Sequence, residues 1–81
     1  MEMIKMEDFI NKFAKQFNYT EIDAFRPDTD FRSLEEWDSL ISLCIMSMIK
    51  DEYGFYLKPE EMKLCNTIQD LFDVVNQHMQ S

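Results

Sequence analysis

The sequence predicts a single all-α domain over residues 1–81, built from three longer helices and one short helix. The chain has only one glycine and two prolines, which favours helices with short connections over a turn-rich β-sandwich. Apolar residues recur at three- and four-residue spacing in its first and last thirds, as in amphipathic helices. A composition with 46% hydrophobic and 30% charged residues is typical of a globular rather than a disordered chain.

The first helix is predicted from about residue 3 to residue 17. One face is apolar, and Glu7, Asp8 and Lys12 lie on the other, which is the pattern of a helix packed on a core. We assign the apolar face to the core rather than to a cofactor. It consists of Met6, Phe9, Ile10, Phe13 and Phe17.

Residues 18–38 form the longest predicted connection. Ile22 and Phe25 are expected to attach it to the core, and a turn is expected at Pro27, which fixes φ. The segment from Ser33 to Glu36 fits a capping box and predicts one helical turn. We expect the adjacent carboxylates of Glu35 and Glu36 to be solvated. A loop this long in a small domain is often functional.

No metal site is expected. Asp28 and Asp30 suggest a calcium loop, which requires Gly at its sixth position and Glu at its twelfth. Those positions hold Ser33 and Ser39. The only two cysteines, at positions 44 and 65, form neither a disulfide framework nor a Cys/His metal pattern.

The second helix is predicted from residue 39 to about residue 53. Asp38 is a good N-cap, and Gly54, the only glycine, stands where a helix ends. The helix is apolar over more than one face, so we expect one part to be core and another to be a docking surface. The apolar residues are Leu40, Ile41, Leu43, Cys44, Ile45, Met46, Met48 and Ile49.

A short third helix and a longer fourth helix complete the prediction. Pro59 suits the first turn of a helix over residues 59–64 that buries Met62. Asn66 is predicted to cap the fourth helix, with Gln69 completing a capping box. We expect His78 to be solvated surface near the end of that helix. The inner stripe of the fourth helix is Ile68, Leu71, Phe72 and Val75.

The net charge of −8 would repel a nucleic acid or an anionic membrane and would attract basic protein partners. No apolar stretch is long enough to insert across a membrane. Charged residues alternate with Met and Ile at the N-terminus, so we expect no secretory leader and a cytoplasmic location.

Four short segments together resemble acyl carrier proteins. Asp38-Ser39-Leu40 resembles the attachment motif of that family, and Tyr53-Gly54 resembles the end of its second helix. The entry to the third helix, with Pro59-Glu60-Glu61, and the fourth-helix start, Thr67–Leu71, are similar as well. The resemblance implies a small four-helix bundle with an up-down arrangement of its three long helices.

The resemblance also implies a non-catalytic role, with no catalytic residue. A phosphopantetheinyl transferase would move 4′-phosphopantetheine from coenzyme A to Ser39, with Asp38 and Leu40 completing the motif. Acyl-loading and acyl-transfer enzymes would then use the thiol of the arm, and the carrier would be a monomer. A serine in the first helical turn suits a phosphodiester, because unpaired N–H groups point at it. The implied lining of an acyl pocket is Ile45, Ile49, Met62 and Cys65.

The second helix departs from the typical fatty-acid carrier. At the positions where the family's exposed face is acidic, this chain has Ile41, Cys44 and Lys50. Of those acidic positions only the one at Asp51 is retained. We therefore expect a dedicated carrier for a specialised lipid or polyketide-type pathway. The expected docking residues are Trp37, Leu40, Ile41, Leu43, Cys44 and Ser47.

Two alternatives remain open at this point. The cargo can be aminoacyl or peptidyl rather than acyl. The chain can also be a helical protein-interaction module that is never modified. An enzyme is disfavoured, because the chain has one histidine and lacks a GxSxG elbow and a glycine-rich phosphate loop.

Overall fold

The computed structural model describes residues 4–80, which form four α-helices and two short 3₁₀ turns. Three longer helices and one short helix are present, so the predicted fold class is confirmed. The helices are α1 (Met6–Ala14), α2 (Ser39–Tyr53), α3 (Pro59–Lys63) and α4 (Ile68–Gln80), and the 3₁₀ turns are Ile22–Ala24 and Phe31–Ser33. In the described part of the chain, no helix is both long and apolar enough to cross a membrane.

The first helix is shorter than predicted. It ends at Ala14, and residue 3, its predicted start, lies outside the described residues. The N–H of Gln16 donates to the carbonyl of Phe13, and that of Phe17 donates to the carbonyl of Ala14, at 3.1 and 3.0 Å. These bonds span three residues, so the chain tightens into a 3₁₀-like turn. Phe17 is still buried.

The core lies between α1, α2 and α4, which pack against one another in pairs. Each helix presents an apolar stripe to the other two, as the periodicity predicts. The salt bridge between Lys12 on α1 and Glu52 on α2, at 3.5 Å, is exposed and adds little to stability. The side chains at the centre, all 0% exposed, are Phe9, Phe13, Ile45, Ile49, Leu71 and Val75.

An aromatic chain attaches the long connection to this core. The ring centroids of Phe13 and Phe31 lie 5.6 Å apart, and those of Phe31 and Trp37 lie 4.8 Å apart. Phe25 packs on Phe17 at 4.9 Å, as expected. The prediction for Ile22 is wrong, because its side chain is 55% exposed. Ile22 is the first residue of a 3₁₀ turn that buries none of its residues, and the chain turns inward only at Phe25, where the backbone is extended.

The connection also docks on the start of α4 through backbone hydrogen bonds. The N–H of Ile68 donates to the carbonyl of Thr29 at 3.2 Å, and the N–H of Gln69 donates to Pro27 at 2.8 Å. The first N–H groups of a helix have no partner within the helix. The loop supplies these partners, so it is held by backbone as well as by side chains.

Thr67, and not Asn66, caps α4. The Thr67 hydroxyl accepts a hydrogen bond from the N–H of Asp70 at 3.1 Å, and the Asp70 carboxylate accepts one from the N–H of Thr67 at 3.1 Å. This reciprocal pair is a capping box with aspartate in its third position. The side chain of Gln69 instead donates to Asp73 at 2.8 Å. The predicted box is therefore shifted by one residue.

The predicted capping box at Ser33 is also wrong. The helical turn lies earlier, at Phe31–Ser33, where the Asp30 side chain accepts from the N–H of Arg32 at 3.1 Å. Glu36, expected to be solvated, is only 7% exposed. Its carboxylate does not cap a helix. It accepts hydrogen bonds from a segment that is distant in sequence.

His78 is exposed as expected, but it is held in place. Its Nε2 lies 2.9 Å from the carboxylate of Glu61, and its ring stacks on Phe55 with centroids 4.1 Å apart. The hydrogen bond from His78 outweighs partial burial and lowers the pKa of Glu61. The last turns of α4 are therefore tied to α3 and to the segment before it.

Candidate attachment site

Ser39 is the first residue of α2 and is exposed. The preceding residue, Asp38, caps the helix as predicted, because its Oδ1 accepts from the N–H of Ile41 at 2.8 Å. The backbone carbonyl of Asp38 accepts from the N–H of Ser42 at 3.0 Å. Within residues 4–80 the Ser39 hydroxyl makes no hydrogen bond. It is accessible to an incoming group beside a helix N-terminus, where backbone N–H groups favour an anion.

The residues before Ser39 are fixed on two sides. The Trp37 indole is half-buried and packs on the rings of Phe31 and Phe17, at 4.8 and 6.3 Å between centroids. The Glu36 carboxylate is buried against the chain after α1. These contacts hold the residues just before the helix in place, while Asp38 and Ser39 themselves stay exposed.

A groove of about 600 Å³ opens beside Ser39, within the size range of sites that take drug-sized ligands. Its polar lining includes Ser39 itself and Ser42, one turn further along α2. The remaining lining comes from α2, α3 and the segments before them. Its apolar members are Trp37, Leu43, Met46, Tyr56, Pro59 and Met62.

Two cations and one acid also line this groove. They are Arg32, Lys63 and Asp38. The Arg32 guanidinium donates through Nε to the carbonyl of Cys65 at 2.9 Å and through Nη2 to that of Met62 at 2.6 Å. Of these two carbonyls, that of Met62 belongs to the last turn of α3 and also accepts from the N–H of Cys65 at 3.2 Å, and that of Cys65 lies just after the helix.

The four residues expected to line an acyl pocket are all buried, but only one of them reaches the groove. Ile45 and Ile49 are 0% exposed, and Cys65 is 1% exposed; they pack in the core. Met62 is 4% exposed and lines the groove. Burial raises the pKa of the Cys65 thiol to about 11, so this cysteine is protonated and unreactive at neutral pH.

The exposed face of α2 is apolar near Ser39. Leu40 is 67% and Leu43 is 61% exposed, while Ser47 is exposed and Cys44 half-buried. Ile41 was expected on this face, but it is only 5% exposed. It lies one turn before Ile45, so it shares the core-facing stripe of the helix and is removed from the docking residues.

Sequence reasoning missed Arg32 and Tyr56 as parts of the site. Arg32 lies in the long connection, where no periodicity indicates a direction for a side chain. Tyr56 is 60% exposed beside the fully buried Leu57. Neighbouring side chains of an extended segment point to opposite sides, so the sequence could have predicted that Tyr56 faces outward if Leu57 is buried.

A family model described as "phosphopantetheine attachment site" matches residues 7–75, which include Ser39 and the groove. No curated protein and no solved structure gives a match. Members of this family are non-catalytic carriers with 4′-phosphopantetheine joined covalently to a serine, and they interact with phosphopantetheinyl transferases and acyl-handling enzymes. Because the match covers most of its length, this chain belongs to the family of phosphopantetheine-bearing carrier proteins.

Proposed function

We propose that the chain is an acyl carrier whose phosphopantetheine arm is attached to Ser39. The observation that carries the proposal is an exposed serine hydroxyl, without a hydrogen bond within residues 4–80, on the first residue of α2 and within the segment that the family model matches. The other serines in that segment are at positions 33, 42 and 47. None of them begins an α-helix.

The surroundings of Ser39 fit the group. The hydroxyl oxygen is free to form the phosphodiester, and the N-terminus of α2 favours the negative charge that this bond introduces. Asp38 brings a negative charge close to the same place, so its contribution is to fix the helix start rather than to bind the phosphate. When bound, the arm supplies a terminal thiol that holds cargo as a thioester.

Intact-protein mass after incubation with coenzyme A and a broad-specificity phosphopantetheinyl transferase tests this proposal. We expect wild type to gain the mass of one arm and Ser39→Ala to gain none. Ser33→Ala is the matched control, since it removes an exposed hydroxyl of the matched segment that belongs neither to α2 nor to the groove lining, and it is expected to be modified. A Ser39→Ala protein that still gains one arm would refute the proposal.

The lining of the groove supports an acyl rather than an aminoacyl cargo. Six of its side chains are apolar or aromatic, and an acyl chain gains free energy by leaving water for such a surface. The mass of the loaded protein isolated from its own cells identifies the cargo. An amino acid or peptide on the arm would contradict this part of the proposal.

The exposed apolar face of α2 supports a dedicated pathway with its own partners. We define the α2 docking surface as Leu40, Leu43, Cys44 and Ser47, flanked by Trp37. Patches of this kind on small proteins mark protein interaction sites. Partner enzymes would meet apolar side chains where fatty-acid carriers offer carboxylates. Loading and elongation at normal rates by the usual fatty-acid synthesis enzymes would refute a dedicated pathway.

A charge on the docking surface should slow modification. We expect Leu43→Asp to lower the transferase rate about tenfold or more, because a buried apolar anchor in an interface is typically worth more than 1 kcal/mol. Leu64→Asp is the control, since Leu64 is 82% exposed and belongs to the end of α3 rather than to α2. Equal rates for Leu43→Asp and wild type would remove Leu43 from the docking surface.

The exposed Leu40 and Leu43 also suit an unmodified interaction module, which is the second candidate. The mass experiment separates the two, because such a module gains no arm with any of several transferases. The monomeric state and the cytoplasmic location stay predictions. Light scattering of the purified protein and fractionation of producing cells check them.

A further inference from the structure

The groove beside Ser39 has a charge opposite to that of the whole protein. The chain has 16 acidic and 8 basic residues, yet Arg32, Lys63 and a single acid, Asp38, line the groove. The Asp38 carboxylate is bound to the start of α2. The groove is therefore a positively charged part of an otherwise acidic surface, and it is suited to an anion.

Arg32 is positioned rather than mobile. Its two hydrogen bonds to the carbonyls at the end of α3, at 2.9 and 2.6 Å, hold the guanidinium in one orientation. A guanidinium has five N–H donors, so donors remain after these two bonds. Across residues 4–80 Arg32 forms no salt bridge with a carboxylate, and its charge is not neutralised by the protein.

Lys63 brings the second positive charge from the last residue of α3. It is exposed, lines the groove, and makes no ion pair in the part of the chain that the structure describes. Of the two acids on α3, Glu61 is engaged by His78 and by the N–H of Lys58, and Glu60 forms no salt bridge within the described residues. Two cations without carboxylate partners thus share one groove with the attachment serine.

We propose that Arg32 and Lys63 bind the phosphodiester anion of the arm on Ser39 and so hold the arm along the groove. The inference rests on the proposed function. The anion is tethered by Ser39, which lines the groove, so the cost of bringing it to the cations is small. A guanidinium is well suited to phosphate oxygens, and an ammonium adds a point charge. A carboxylate on the cargo is a second source of the same chemistry.

Methionine methyl groups report directly on occupancy of the groove. Met46 on α2 and Met62 on α3 line the groove. Met48, which lies on α2 like Met46, is 6% exposed and is not part of the groove lining. The single tryptophan, Trp37, also lines the groove. Methyl NMR of the unmodified and modified proteins, with intact mass to verify modification, therefore locates the arm without any activity assay.

We expect modification of wild type to shift the Met46 and Met62 methyl signals more than that of Met48, and to change Trp37 fluorescence. In Lys63→Gln the shifts should fall to about half or less, since one of two charges is gone. Lys15→Gln, an exposed lysine on the α1 side, is the matched control and should behave as wild type. About 1 M salt should also reduce the shifts in wild type, because screening then acts over roughly 3 Å.

Each other outcome overturns the proposal. Shifts in Lys63→Gln equal to those in wild type, or insensitive to salt, would show that the cations do not bind the arm. Shifts that appear only with a carboxylate-bearing cargo, and not with the bare arm or an uncharged acyl group, would assign the anion to the cargo. Absence of any mass gain would instead refute modification of Ser39, and this inference would fall with it.

Discussion

The buried carboxylate of Glu36 joins the end of α1 to the approach to Ser39. It accepts hydrogen bonds from the N–H groups of Asn18, Tyr19 and Thr20 and from the Thr20 hydroxyl. Burial alone would raise the pKa of this carboxyl, but these donors lower it from 4.5 to about 2. The ionised form is therefore the one that the fold stabilises.

This predicts a pH dependence of stability. Because the pKa of Glu36 is lower in the folded state, its contribution is fully present above pH 4.5 and is lost as pH falls towards about 2. We expect Glu36→Gln to be less stable than wild type at neutral pH and to lose less stability over that range. Urea unfolding at a series of pH values measures both effects.

Glu35→Gln is the matched control for this experiment. Glu35 is the exposed neighbour of Glu36, and its carboxylate makes no hydrogen bond within residues 4–80. It should keep the acid dependence of wild type. The role assigned to Glu36 is wrong if both variants lose stability in acid as wild type does.

Residue roles were predictable where the partner is close in sequence. Asp38 as a cap and Gly54 as a helix end follow from neighbours within four residues. Glu36 bonds to residues 16 to 18 positions away, and His78 to Glu61 at a separation of 17. No local pattern contains such pairs. Thr67 was missed because two overlapping capping patterns compete there.

At the scale of elements, α2 connects the attachment site to the core. Its bounds, Ser39–Tyr53, agree with the prediction because both ends carry strong local signals. Its faces were harder to assign, since an apolar residue can be buried or exposed. Ile41 is buried while Leu40 and Leu43 are exposed, and only the packing of α1 and α4 against α2 decides which.

The end of α2 offers a test of backbone strain. Gly54 has φ of +80°, and a Cβ there would meet nothing within 4 Å. We expect Gly54→Ala to cost about 1–2 kcal/mol in the free energy of unfolding, entirely from the left-handed backbone. Gly54→Asn should cost less, because asparagine tolerates this conformation better. Chemical denaturation measures both, and equal stability of Gly54→Ala and wild type would contradict the assignment.

At the scale of the whole molecule, one core holds three helices and the long connection together. The helical periodicities predict most of this core, and they fail for the connection, which is held by aromatic rings and backbone bonds to α4. The groove could not be predicted either. The groove is formed by the 3₁₀ turn Phe31–Ser33, α2 and α3, which only the tertiary structure brings together.

Two leucines separate core packing from surface exposure. Leu71 is 0% and Leu64 is 82% exposed. We expect Leu71→Ala to lower the free energy of unfolding by about 2–5 kcal/mol, because it leaves a cavity. The same change at Leu64 should stay within about 0.5 kcal/mol. Similar losses at the two positions, measured by urea unfolding, would contradict the described core.

The central claim is that the arm is attached at Ser39, and peptide mapping of the modified protein tests it most directly. Ser39 and Ser42 both line the groove, one helical turn apart, so an intact mass does not distinguish them in wild type. Fragmentation of the peptide that spans the start of α2 does. We expect the whole added mass on Ser39 and none on Ser42. Added mass on Ser42, or on any other residue, would contradict the account.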